Sequence, residues 1–238
     1  MDIRHRFQRG RAPTMSLAQR MVAALSARRS ASLTAGLATS LLLAGCALSG
    51  HAPAPAVATY VLGDAAAALP AETALNNLVL KVAMPRAAPA YASTRIAYIE
   101  QQYRVDYFAL NEWADPPAQM LRTLLTTQLT GSGLFRYVVT DAPGVDETLR
   151  LDSDIIELVQ VFSESASEVR LSIRFDLVDV ARRTIIVSDT ISVGETAARD
   201  PYAGVVAANR AAQRVLAQLT TLLYDPVAAL AQRTAATH

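Results

Sequence analysis

Val169, Leu171, Ile173, Phe175 and Leu177 alternate with Arg170, Ser172, Arg174 and Asp176, and this run constrains the fold of the 238-residue chain more than any other feature. Successive side chains of a strand point to opposite faces, so the alternation predicts a strand with one apolar and one wet face. The apolar face needs a cover. Thr184 to Val193 repeats the theme across a turn near Ala181-Arg182-Arg183. Leu149 to Phe162 is less regular. Its apolar residues hold odd positions at Leu149, Leu151 and Ile155, then both parities at Ile156, Leu158, Val159 and Val161, as expected for a bulge or for burial on both faces.

Two helices are predicted. Asp115-Pro116-Pro117 offers an N-cap with proline at the first helical position, and Met120, Leu121, Leu124, Leu125 and Leu129 follow at helical spacing until Gly131-Ser132-Gly133. Asp200-Pro201 repeats the cap. Val205, Ala208, Ala212, Val215, Leu219 and Leu222 then step by three or four to about Tyr224, where Asp225-Pro226 is expected to stop the helix. Shorter strands are expected at 59–62, 78–84, 95–100, 104–110 and 135–140, the third and fourth forming a hairpin around Gln101 and Gln102. The fold class is α/β, a mixed and largely antiparallel sheet of about seven strands with two main helices, an α/β sandwich of roughly 170 residues.

Hydrophobic residues make up 52% and charged ones 18%, which favours a packed core over a disordered chain. The mean hydropathy of +0.22 raises the question of a membrane span. Charge placement answers it. The formal net charge of +1 combines a leader, residues 1–45, holding seven arginines and one acid with a remainder of net −5. Arg28 and Arg29 precede an uncharged run from Ser30 to Cys46 whose apolar part fits the roughly 7 to 15 residues of a signal-peptide core, short of the roughly 20 of a permanent span.

That run ends in Leu43-Ala44-Gly45-Cys46, which resembles the bacterial lipobox. The resemblance implies cleavage before Cys46 and covalent acyl chains on its thiol, two or three chains sufficing for stable anchoring. Ala47 follows. In such lipoproteins of Gram-negative bacteria an Asp at this place signals inner-membrane retention, so the resemblance implies the periplasmic face of the outer membrane. Residues 46–58 are small and Pro-containing and read as a flexible linker. The expected organisation is a signal peptide over 1–45, the lipidated linker over 46–58, one domain over 59–226 and a flexible tail over 227–238.

Few side chains offer catalysis. The histidines are His5 in the leader, His51 in the linker and His238 at the last position, none on an element that holds it rigidly. This argues against a Ser-His-Asp triad, a His general base and His ligands for zinc. With a single Cys there is no CxxC site, no GxxxxGK[ST] loop occurs, and the near-zero charge gives no sign of nucleic-acid binding. No cofactor, metal site or catalytic residue is expected. Asp152 and Asp154, two apart on a strand, share a face and either pair around a hard cation or form plain solvated surface, the commoner case. Glu164 and Glu168 flank a Ser-rich turn and read as solvent-facing. Arg199, Arg210 and Arg214 are expected on a solvated face of the last helix, with anionic headgroups as the sharper alternative. Trp113 is either an exposed partner contact or a plug at the sheet edge beneath the first helix, the second favoured because a Trp buries roughly 150–250 Å².

The lipobox, the linker, Tyr60-Val61-Leu62, Leu78 to Pro85, Tyr107 to Pro117 with its aromatic-x-x-Asn-x-x-Trp-Ala-Asp-Pro stretch, and Gly133-Leu134-Phe135 together resemble the ABC-type transport auxiliary lipoproteins of the PqiC-type group. The resemblance covers most of 59–225, with Glu112 standing where that family usually has Arg. It implies an accessory component, not an ATPase, of an ABC/MCE-type intermembrane lipid transport system. Its partners would be an MCE-domain protein and a permease/ATPase system, with the chain held at the membrane by its anchor, alone or as a homo-oligomer. The alternative is a lipid-anchored module regulating another envelope process such as cell-wall synthesis, since fold alone does not fix function.

Overall fold

The computed structural model describes residues 55–63, 77–141 and 143–235. The expected signal peptide, the lipobox Leu43-Ala44-Gly45-Cys46 and the linker as far as residue 54 lie outside the described residues. The elements run β1 (Ala58–Tyr60), β2 (Val79–Val82), β3 (Arg86–Ala87), a 3-10 turn (Pro89–Tyr91), β4 (Arg95–Gln101), β5 (Arg104–Trp113), α1 (Pro117–Gly131), β6 (Tyr137–Val139), β7 (Leu149–Phe162), β8 (Ser167–Asp179), β9 (Thr184–Ala197) and α2 (Pro201–Ala235).

Among the described residues nine strands form one mixed sheet with β7 as its hub. Along one edge β7 pairs antiparallel with β8, from Leu149 opposite Asp179 to Phe162 opposite Ser167. Along the other it meets β2, β3 and β4 in succession, each parallel and brief. β8 pairs antiparallel with β9, β4 with β5, while β1 lies parallel on β5 and β6 parallel on β2. The sheet exceeds the expected seven strands partly because pairing resumes after Pro85. Arg86 forks onto Asp154 at 2.6 and 2.8 Å and holds the two-residue β3, too short to show a period, against β7.

The irregular parity of β7 is a bulge at Ile156, between the pairs at Ile155 and Glu157. Odd residues Leu149, Leu151 and Ile155 are buried before it, and Leu158 and Gln160 after it. One inserted residue flips every following side chain, and Val159, buried between Leu158 and Gln160, adds burial on both faces.

The inner residues of β8, Val169 to Leu177, are at most 2% exposed, and α2 covers them. Its Ala207, Ala208, Ala211 and Ala212 are buried, so the helix axis lies close to the sheet. The expected stop at Asp225-Pro226 is overturned: Pro226 lies inside α2, and residues 227–235 of the expected tail are helical. An internal proline costs about 3 kcal/mol. Val227 and Leu230 continue the buried stripe of Leu219 and Leu223 and offset that at roughly 1.5–3 kcal/mol each.

α1 buries Met120, Leu121, Leu125 and Leu129 as its spacing predicts. Its start lies one residue later than expected. Pro117 keeps Pro116 at ψ 136°, so Pro116 and not Asp115 occupies the cap position, with no side-chain cap bond. At α2 the repeated signal does work as a cap, Asp200 Oδ1 accepting from the Ala203 N–H at 2.9 Å. No helix among the described residues is long and apolar enough to cross a membrane.

Candidate functional site

The segment leading in from the linker, Pro55–Gly63, is fastened to three elements. β1 places Ala58, Thr59 and Tyr60 beside Asn111, Glu112 and Trp113 of β5. The Tyr60 carbonyl accepts from Ala114 N–H at 2.6 Å, and its hydroxyl donates to Asn111 at 3.2 Å. Leu62, buried, directs its N–H at the Met120 sulfur of α1 at 3.1 Å. Asn209 of α2 then grips the chain from both sides: its Oδ1 accepts from Gly63 N–H, and its Nδ2 donates to Val61 O at 3.2 Å. Gly63 is required here, since at φ +101° a Cβ would stand 2.2 Å from Leu124 Cδ2. Asn209 escaped sequence reading. Its one signal is an amide in an Ala-rich helix.

A second fastening lies near the start of α2. Gln160, buried on β7, donates from Nε2 to Ser167 Oγ at 2.8 Å and to the Asp200 carbonyl at 3.1 Å, tying the β9–α2 connection to the sheet. Its Oε1 has no partner and faces Gly204, where a Cβ would stand 2.1 Å away. Tyr98 stacks on Phe108 at 4.5 Å, and Phe162 meets both edge-on. Arg199 caps the Phe162 ring at 5.4 Å and donates to the carbonyls of Ser163 and Glu164. Tyr103 stays outside this cluster, at the β4–β5 turn, 95% exposed.

Sequence candidates fare differently. Trp113 is 3% exposed, which corrects the partner-contact reading. Its indole borders a small gap with Ile96, Leu158, Gly204 and Val205, so it plugs the sheet beneath α2 rather than beneath α1. Asp152 and Asp154 are each held by an arginine, Asp152 by Arg150 at 2.8 Å and Asp154 by Arg86. Glu168 pairs with Arg170 at 3.0 Å, and Glu164 is exposed. Arg199 lies before α2, not on it. Arg210 and Arg214 both reach Glu195, at 3.3 and 2.6 Å, and donate to carbonyls of β9, covering part of its outer edge. Cys46, with Leu43, Ala44 and Gly45, lies outside the described residues, as do His5, His51 and His238.

Electrostatics follow these pairs. The hydrogen bond from Arg86 holds the Asp154 carboxyl below its ordinary range, and that from Arg214 does the same for Glu195. For Asp179, burial pushes the pKa up, but the Arg182 backbone and side-chain hydrogen bonds outweigh it and the net shift is downward. These three carboxyls move away from the near-neutral range that general acid–base work needs. Two open grooves lie on the body. One of about 410 Å³ runs between Val57 and β5 by Tyr107 and Phe108; the other, about 500 Å³, lies between Ala197 and Tyr202.

The comparisons agree with this arrangement of sheet and helices. A crystal structure of a Xanthomonas campestris protein of family DUF330 is similar at TM-score 0.59 and 18% identity, covering 76% of this chain and 99% of that one. A solved structure described as an uncharacterized protein is similar at TM-score 0.56 and 17% identity, covering 70% and 97%. At these identities the likeness concerns the fold. No curated protein matches the chain. The model of one family, described as the ABC-type transport auxiliary lipoprotein component, matches residues 60–221, from the fastened arm through most of α2. The match spans more than half of the sequence, and the chain belongs to the ABC-type transport auxiliary lipoprotein family.

Proposed function

We propose that this auxiliary lipoprotein is held by acyl chains on Cys46 at the periplasmic face of the outer membrane and serves an ABC/MCE-type intermembrane lipid transport system through protein–protein contacts. The observation that carries the reading is the fastening of Pro55–Gly63. The segment that follows Cys46 is gripped by β5, α1 and α2 through Tyr60, Leu62 and Asn209. The grip fixes the place on the body from which the linker departs. The saturation of Asp152, Asp154 and Glu195 by arginines supports a scaffold role over catalysis.

The partners are an MCE-domain protein and the permease/ATPase system it serves. Co-purification from detergent-solubilised envelopes tests this: an MCE-domain protein retained with the wild type and lost with Cys46→Ser supports the role. Its reproducible absence from the wild-type eluate overturns it. Mass analysis of the mature N-terminus tests the anchor, an acylated Cys46 being the expected species and an intact precursor the contrary one.

A further inference from the structure

A strand at the margin of a sheet presents a row of unpaired N–H and C=O groups to which another strand can add. Among the described residues β1, β3 and β6 have only two or three residues each, and β5 carries β1 on part of its outer side. β9 is different. It has 14 residues, pairs with β8 alone, and leaves its whole other side without a strand. Eight of the 14 are Val, Ile or Thr, the residue types that fit a pleated surface, so the strand is a long template of favourable composition.

Four features interrupt that side. Leu177 pairs with Val187 and Val178 with Ile185, which makes Ile186 an extra residue, a bulge that breaks the ladder near its start. Asp189 shares its parity with Ile191 and Val193, which are buried, so a charge points to the inner face of an edge strand. Its carboxylate turns back and accepts from the Thr190 N–H at 2.7 Å. Glu195, of the same parity, takes Arg210 at 3.3 Å and Arg214 at 2.6 Å. Those two arginines reach on to the main chain, Arg210 donating to the Thr196 carbonyl at 2.9 Å and Arg214 to that of Gly194 at 3.5 Å.

Parity shows what these contacts have in common. The main-chain groups of a strand turn alternately to one neighbour and to the other, so the outward groups of an edge belong to every second residue. Thr190, Gly194 and Thr196 fall in one such series, and each has an outward group held by a charged side chain. Ser188 lies between the bulge and Thr190, and Ser192 between Thr190 and Gly194. Nowhere along β9 are two successive outward residues open, and a strand adding there would displace a carboxylate or a guanidinium at every step.

We infer that β9 is an edge closed to strand addition by a second copy of this chain, with Asp189 and the Glu195–Arg210–Arg214 clamp as the closing groups. A second copy is the strand that fits: β9 set antiparallel on β9 satisfies a two-fold axis and extends one continuous sheet. With that route closed, copies of the chain meet through side-chain surfaces.

The test uses the full chain purified in detergent. Asp189→Val, Glu195→Val, Arg210→Ala and Arg214→Ala together remove two acids and two bases, so the net charge is unchanged and overall repulsion stays the same. Sedimentation of the parent gives the reference mass. The fourfold variant is expected to add a species of twice that mass as concentration rises, with self-association at least roughly tenfold tighter than the parent's. The Ser188 and Ser192 amides are expected to exchange roughly tenfold more slowly in that species. Adding Thr190→Pro, which takes an outward N–H from the edge, is expected to restore the parent's mass. Asp189→Val alone, at an exposed position, shifts association in the same direction by a smaller factor. The parent's mass at every concentration for both the fourfold variant and Asp189→Val overturns the closure, as does association that persists with Thr190→Pro.

Discussion

The two ends of the β7–β8 ladder are held by different means. At the Phe162 end a buried amide interlocks with main-chain groups: Gln160 joins Ser167 to Asp200, and Asp200 caps α2, with the exposed pair of Arg199 and Glu100 beside them. At the Leu149 end main-chain bonds of Thr148 to Val79 and Val180 are joined by ion pairs, Arg182 with Asp179 at 2.7 Å, Arg122 with Asp141 at 2.6 Å and the half-buried Lys81 with Glu147 at 3.5 Å. A water-exposed pair contributes about 1 kcal/mol or less, whereas a buried amide that loses its partner leaves an unmet dipole at about 1–3 kcal/mol. The ends thus differ in the buried Gln160 amide, which joins β7, β8 and the start of α2 at the Phe162 end.

The sharpest way to break this asymmetry is Gly204→Leu. A side chain there drives into Gln160 Oε1 and expels the amide from Ser167 and Asp200. The expected loss is about 3 kcal/mol by urea unfolding. A loss below about 1 kcal/mol would show that the Gln160 clasp contributes little.

Asn209→Ala comes next. It removes both bonds to the arm while leaving a good helix former in α2, so the loss is local, about 1.5 kcal/mol. Hydrogen exchange at the Gly63 amide is expected to rise roughly tenfold while the core of β8 is unchanged. Equal acceleration throughout β8 would mean that the arm is not a separable clamp.

Much of the scaffold was legible because period-2 and period-3.6 patterns are direct consequences of burial on one face. The alternation from Val169 to Leu177, the bulge of β7 and the buried stripe of α2 are such cases. Contacts made by single polar atoms over long separations leave no period. Asn209 and Gly63 lie 146 positions apart, and nothing local announces their bond. Trp113 was ambiguous for a related reason: its neighbours in sequence lead into α1, but its ring lies beneath Gly204 and Val205 of α2. Pro226 misled because the local rule for proline is strong, and only the tertiary burial of Val227 and Leu230 exceeds it.

The repeated Asp-Pro signal gives a comparison within the sequence. Asp200→Ala is expected to cost about 1 kcal/mol, the typical worth of a helix cap, because its carboxylate accepts from Ala203. Asp115→Ala, at the same apparent position before α1, is expected to stay within about 0.5 kcal/mol, because Pro116 holds the cap position and no side-chain bond exists to lose. Thermal melts of both variants decide the point; equal losses would mean that Asp115 contributes to α1 by some means other than a cap.

The smallest effect belongs to the Leu149 end and is read by pH. Asp179 has its folded-state pKa lowered by Arg182 against the upward push of burial. A carboxyl lowered on folding binds fewer protons in the native state, so its stabilisation is fully present above its unfolded pKa of about 3.9 and fades as pH falls through the lower folded value. Asp179→Asn is therefore expected to be less stable than the parent at pH 7, by about 1 kcal/mol or less, and to converge with it as pH falls through the lowered folded value. Raising salt to about 1 M is expected to narrow the gap at pH 7, since Arg182 is largely exposed, while leaving the loss from Gly204→Leu as it was. A gap at pH 7 that acid reduces and salt does not would show Asp179 to be held by its backbone hydrogen bonds rather than by the Arg182 charge, and would make the two ends of the ladder more alike than their ion pairs imply.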